Sequence, residues 1–143
     1  MDALYGLMNR RSVRAYRDEQ VHDDQLNAIL EAATYAPTGM GRQSPVMVVV
    51  QDRELITKLS RMNAAVMGMD GDPFYGAPTV VIVFGNPNVA MTWLEDGALV
   101  MGTLMNAWGV PDGCVGIGNC ILGYAAKPLP APKPRKTDYI IRV

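Results

Sequence analysis

Histidine is almost missing from this chain: His22 is the only one in 143 residues. No plausible nucleophile lies near it in the sequence, and a zinc site built from several imidazoles is excluded. Cysteine is nearly as scarce. Cys114 and Cys120 are separated by five residues, which fits neither a C-x-x-C redox pair nor a zinc pattern, and two cysteines make no disulfide framework. Both are expected to be buried reduced thiols. Positive charge is absent from the middle, with no Lys or Arg between Arg61 and Lys127. Long apolar runs are absent too, so no segment predicts a membrane span. The N-terminal "MDALYGLMNRR" puts its charges after a short amphipathic stretch, the reverse of a signal peptide, and predicts a cytoplasmic protein.

What is present suits one globular domain. Hydrophobic residues make up 49% and charged residues 19%, a balance that supports a core and argues against disorder. A net charge of −1 argues against general nucleic-acid binding. Asp2 can cap a first helix carrying Leu4, Leu7 and Met8. Leu26, Ile29, Leu30 and Ala33 recur at helical spacing and predict a helix over 23–36, stopped by Pro37. His22 then sits on the surface at its start. "PTGMGRQSP" (37–45) reads as a loop, "VMVVVQ" (46–51) as a buried strand, and Asp52 as the start of a helix carrying Leu55, Ile56, Leu59 and Met62. "GMDGDPFYGAP" (68–78) is loop and "TVVIVFG" (79–85) a second buried strand. Residues 93–107 predict a helix apolar nearly all round, hence central or at a subunit interface. "VGIGNCILGY" (115–124) reads as a third strand, the proline-rich 127–136 as extended, and "DYIIRV" (138–143) as a last strand. No repeat and no second domain is visible.

The common site motifs fail. "GIGNCILG" has Ile121 where a dinucleotide fingerprint needs glycine, and it reads as strand where a helix should follow. "TGMGRQS" lacks the Gly-Lys-Ser/Thr end of a phosphate-binding loop, and no G-x-S-x-G elbow exists. Glu95 and Asp96 are helix neighbours and do not face one another. The unusual feature is "NRRSVRAYRD", with Arg10, Arg11, Arg14 and Arg17 in eight positions; a second basic group, Lys127, Lys133, Arg135, Lys136 and Arg142, closes the chain. Two readings stand. The arginines pair with acids on a solvated surface, or the two groups converge on one small anion, as on the phosphate tail of a cofactor that does the chemistry.

"NRRSVRAY", "LNAILEAATYAPTGMGRQS", "PFYGAPTVVIVF", "EDGALVMGTLMNA" and "VGIGNCILGY" with its basic tail together resemble the nitroreductase family of flavin-dependent enzymes, over almost the whole chain. The resemblance implies an α+β fold: a central mixed, mainly antiparallel sheet flanked by helices, in one domain over 1–143. It implies an intertwined homodimer in which an arm and strand over 128–143 cross to the partner, with FMN at the dimer interface. Arg10, Arg11 and Ser12 match positions that hold the FMN phosphate or ribityl chain. Arg14 matches the basic residue near N1 and O2 of the ring, where positive charge favours the reduced anionic flavin. Pro37, Thr38 and Gly39 match a loop that packs on the flavin, from the other subunit. Lys133 and Arg135 match a Lys-x-Arg pair reaching the phosphate, and Asn63 a ring-edge hydrogen bond. Gly41 stands where many relatives have Asn. No catalytic side chain and no metal is implied: NADH or NADPH reduces the flavin, and a nitroaromatic, quinone or similar acceptor takes the hydride in a second step.

One departure stands out. Relatives carry a further strand and helix between "LMNA" and "WGVP", whereas here Ala107 is followed directly by Trp108. That block supplies backbone contacts to the flavin ring. The alternative reading is therefore a degenerate flavin-binding dimeric scaffold without turnover.

Overall fold

The structure, a computed structural model, describes residues 8, 12–100, 115–131 and 134. Arg10, Arg11, Lys133 and Arg135 lie outside the described residues, as do Cys114, the body of the expected first helix, the second half of the helix expected over 93–107, and the expected strand over 138–143. The described elements run α1 (Asp23–Thr34), a single 3-10 turn (Gly39–Gly41), β1 (Val46–Val50), α2 (Arg53–Met67), β2 (Thr79–Gly85), α3 (Trp93–Val100) and β3 (Val115–Leu122). They form an α+β arrangement with a three-stranded sheet in the order β1-β2-β3. Both pairings are antiparallel.

β2 is the centre. All seven of its residues are buried, as expected of a continuous apolar run. Val80, Ile82 and Phe84 pack with Val50, Leu59 and Phe74 into one cluster, with Val48, Ile56 and Ile121 at its margin. Leu59 and Ile56 bring α2 onto that face of the sheet. Alternation then assigns β3: Asn119 lies opposite Ile82 and Ile121 opposite Val80, both on the core side, while Cys120 lies opposite Val81 on the other. Register shifts between Val83 and Phe84, where β3 carries Ile117 as an extra residue.

Local chemistry sets the ends of the elements. α1 has Asp23 and Asp24 in its first turn, where the helix dipole favours acids. It stops at Thr34, two residues short of the expected end, because Pro37 disfavours helical geometry at Ala36 before it. Asp52 caps α2 by accepting from Leu55 N at 2.8 Å. Gly68, at φ 61°, ends it, with Gly68 N donating to Ala65 O and Met69 N to Ala64 O. β1 and β3 are one and two residues shorter than expected. His22 sits exposed at the start of α1, as expected, with its ring edge-on to Tyr124. The expectation of buried thiols fails at Cys120, which is free and exposed. It faces away from the α2 core on a strand that is an edge among the described residues.

Two polar ties shape the loops. In 68–78, Asp72 accepts from Ser60 Oγ at 2.5 Å, Gly76 N at 2.6 Å and Phe74 N at 2.9 Å. Partial burial alone would raise its carboxyl, but these three bonds outweigh it and hold the group below the ordinary carboxylate value. The second tie joins the loop after α1 to α3. Asp96, only 3% exposed, accepts from Gly39 N at 2.9 Å and from Thr92 Oγ1 at 3.1 Å. The loop comes so close that a Cβ on Gly39 would fall 2.0 Å from Thr92 Oγ1.

Asp72→Asn should lower stability by about 1 kcal/mol at neutral pH, a modest figure because the group is largely solvated. Its folded pKa is depressed, so the ionised form stabilises above the unfolded value and that stability is lost as pH falls through the folded one. Denaturant titrations of both proteins should therefore converge as pH drops below the carboxylate range; a constant gap down to pH 3 would contradict this account. Gly39→Ala should cost roughly 1–3 kcal/mol by overpacking, and adding Thr92→Ala should recover part of it, since the Cβ of residue 92 stays close. Additive losses in thermal unfolding would count against the contact.

Candidate functional site

Residues 12–20 run beside β3 and its continuation. Tyr16 bridges Ala125 in antiparallel fashion, Arg17 N donates to Tyr124 O at 2.8 Å and Ala126 N to Ala15 O at 2.9 Å. Gln20 fastens the other end: its Nε2 donates to Gln51 O and Pro78 O, and its Oε1 accepts from Thr79 Oγ1 at 2.9 Å. The chain ahead of Gln20 is thus held across the sheet edge, and Arg14 with it.

A groove of about 570 Å³ opens there, lined by Ser12, Arg14, Tyr16, Tyr75, Asn119 and Cys120, among others. A smaller cleft of about 210 Å³ on the other flank shares Ser12 and Arg14 and adds Lys127 and Pro128. The N-terminal basic segment and the start of the proline-rich arm are therefore neighbours. The arginines divide. Arg17 pairs with Glu19 at 3.8 Å, following the surface-pair reading, and on α2 Arg53 pairs with Asp18. Arg14 is exposed and makes no ion pair among the described residues. No other wall of its groove carries a cation, since residues 62–126 contain no Lys or Arg. Desolvation, with Cys120 nearby, raises the Tyr16 hydroxyl. Partial burial of its sulfur likewise raises the Cys120 thiol, although the residue as a whole is exposed.

Asn63 reaches this groove only through a second residue. Its Nδ2 donates to Leu59 O at 2.9 Å, within α2, and its Oδ1 accepts from Asn119 Nδ2 at 2.9 Å. Asn119 lines the groove, and its own Oδ1 is buried with no hydrogen-bond partner.

Pro37, Thr38 and Gly39 are not brought to the groove of Arg14. Thr38 lines a separate cleft of about 150 Å³ between the end of α1 and Met47. Its hydroxyl accepts from Gln43 N at 3.2 Å. Met40 and Gly41 both have positive φ, at 56° and 67°. Another cleft, about 340 Å³, is lined by Arg53, Ser60, Arg61 and Asp72. There Arg53 is engaged by Asp18, and Asp72 and Ser60 are committed to the 68–78 loop, so it offers less free chemistry than the groove. Among the described residues no cluster of His, Cys, Asp or Glu could hold a metal.

Sequence reasoning missed two residues. Asp96 was read as half of an idle pair, because spacing along α3 says nothing of a loop 57 residues away. Asn119 had a signal: an amide on the core-facing side of an otherwise apolar strand.

Known proteins align with this arrangement. A protein of Archaeoglobus fulgidus, named provisionally as an NADH dehydrogenase/NAD(P)H nitroreductase, is 29% identical over 126 residues, covering 85% of this chain and 67% of its own length. An FMN reductase [NAD(P)H] of Bacillus subtilis is 32% identical over 96 residues, covering 66% of this chain and 36% of its own. The chain thus spans about two thirds of one relative and about a third of the other. A crystal structure of a nitroreductase with bound FMN from Bacteroides fragilis superposes with a TM-score of 0.83 at 26% identity, covering 98% of this chain and 97% of that one. The model of the Nitroreductase family matches residues 7–109, well over half of the sequence. The chain belongs to the nitroreductase family.

Proposed function

We propose that the protein is an FMN-dependent oxidoreductase that carries hydride from NADH or NADPH to nitroaromatic, quinone or similar acceptors in two steps. The observation that carries this reading is the groove beside β3. It holds an arginine with no acidic partner among the described residues, next to a buried acceptor with no donor, Asn119 Oδ1. A ligand with negative charge, a flat body and a polar edge fits that set, and FMN has all three. The FMN bound to the Bacteroides fragilis structure and the name of the Bacillus subtilis relative support the same cofactor. When bound, FMN supplies the hydride-accepting ring. Arg14 would place permanent positive charge at the ring edge and favour its reduced anion. Ser12, with Arg10 and Arg11 before it and Lys133 and Arg135 in the arm, would hold the phosphate; the neighbouring courses of 12–17 and 124–131 suit such a meeting.

The working unit in this reading is a homodimer of single-domain chains, the arm over 128–143 reaching its partner. Pro37, Thr38 and Gly39 lie away from Arg14 within one chain, as they would if they served the partner's flavin. Met91, Leu94 and Leu99 are 94%, 51% and 62% exposed, apolar surface that a second copy would cover. Among the described residues no helix is long and apolar enough to cross a membrane, and we assign the protein to the cytoplasm.

Purified protein should be yellow, or become so with FMN, and should oxidise NADH or NADPH when a quinone is supplied. A colourless protein that takes up no FMN would end the proposal. A yellow protein without turnover would favour the degenerate scaffold suggested by the Ala107–Trp108 junction. Arg14→Ala should slow flavin reduction by NAD(P)H about 10- to 100-fold, with a smaller change in FMN affinity. Stopped-flow reduction and FMN titration separate the two; equal losses would remove Arg14 from the ring edge.

A further inference from the structure

We propose that Asn119, oriented by Asn63, supplies the acceptor for the imide N–H of the flavin ring. The inference rests on the FMN reading above and extends it to a residue which that reading left without a role.

The orientation of both amides follows from a chain of hydrogen bonds that starts at a fixed point. Leu59 O is a backbone carbonyl and can only accept. The atom of Asn63 facing it at 2.9 Å is therefore the NH2 group. That turns Asn63 Oδ1 toward β3, where it meets Asn119 at 2.9 Å, and only the NH2 group of Asn119 can answer it. Flipping either amide would set two acceptors or two donors against each other. Asn119 Oδ1 is consequently turned the other way. It is buried and has no partner, a state that costs free energy until a donor is provided.

The donor has few sources. Asn119 lines the groove with Ser12, Arg14 and Tyr75, and its strand neighbours Gly118 and Cys120 offer no side chain that could turn inward to meet it. Among the described residues no donor reaches it, those of Ser12, Arg14, Tyr16 and Tyr75 in the same groove included, and a ligand in the groove can supply one. The oxidised flavin ring carries a single N–H, at the imide nitrogen N3 between two carbonyls. An uncharged acceptor next to a guanidinium matches such an edge, the acceptor taking the N–H and the arginine a neighbouring oxygen. Asn63, which the family resemblance puts at the ring edge, becomes the positioning residue: its acceptor and one of its donors are both committed within the protein.

The test is binding, in the oxidised state and without NAD(P)H. Apoprotein is titrated with FMN and with N3-methyl-FMN, followed by ring fluorescence. Wild type should bind the methylated flavin about tenfold more weakly, the loss of one hydrogen bond to a buried acceptor. Asn119→Ala should bind both flavins equally. Asn63→Ala should narrow the ratio as well, an effect that general loosening of the fold would not produce. Equal affinity of wild type for the two flavins would overturn the assignment while leaving the FMN reading intact, and it needs no variant to fold. A ratio unchanged in Asn119→Ala would also overturn it, because the methyl group would then be excluded by another wall. Failure of wild type to bind FMN at all would remove the reading beneath it.

Discussion

The burial of β2 on every side is the constraint on which the other elements depend. A seven-residue run from Thr79 to Gly85 with no exposed position must be paired on both edges and covered on both faces. Antiparallel neighbours satisfy its backbone, and α2 covers the face bearing Val80, Ile82 and Phe84. Because side chains alternate strictly, the register against β2 leaves β3 little choice. Ile121 goes inward and Cys120 outward, and an amide at 119 must lie among apolar side chains. A shift of one residue would put Cys120 against α2 and carry Asn119 away from Asn63. The polar feature of the groove is thus a by-product of how an apolar strand is satisfied.

The groove also depends on what lies beyond the sheet. Two backbone bonds and one glutamine hold residues 15–20 against the end of β3 and the start of β2. Thr79 serves twice, buried in the strand and bonded to Gln20. This anchoring is polar and local, so the arginine-bearing segment is aligned without its guanidiniums taking part. Arg14 remains available for a ligand, while Arg17, three positions on, is drawn to Glu19. One stretch of sequence therefore holds one arginine paired on the surface and another with no ion pair among the described residues.

Much of this was legible from residue order. Apolar periodicity in 23–34 and 53–67 and the unbroken runs at 46–50 and 79–85 report burial directly, and burial decides which element forms. The start of α2 at Asp52 was legible because a cap acts within one turn of its own position. The helix over 23–36 was drawn too long because periodicity continues past the point where Pro37 already restrains its neighbour. Cys120 was misjudged because average behaviour of cysteine says nothing of which face of an edge strand it occupies. The candidate site was half legible. Arg14 and Asn63 came from motif resemblance, whereas the Asn63–Asn119 bond spans 56 residues and the Gly39–Asp96 bond 57. Such pairings follow from the packing of helices on the sheet and have no local signature.

The tie between Gly39 and Asp96 bears on which parts of the molecule can yield. The Asp96 carboxyl group is shut away from water, and its oxygens are satisfied by Gly39 N and Thr92 Oγ1. The stretch around Gly39 is therefore tied to the first turn of α3 and cannot travel without leaving a buried oxygen unpaired. Any give needed to admit a bulky guest falls instead to the side where exposed side chains such as that of Arg14 border open space.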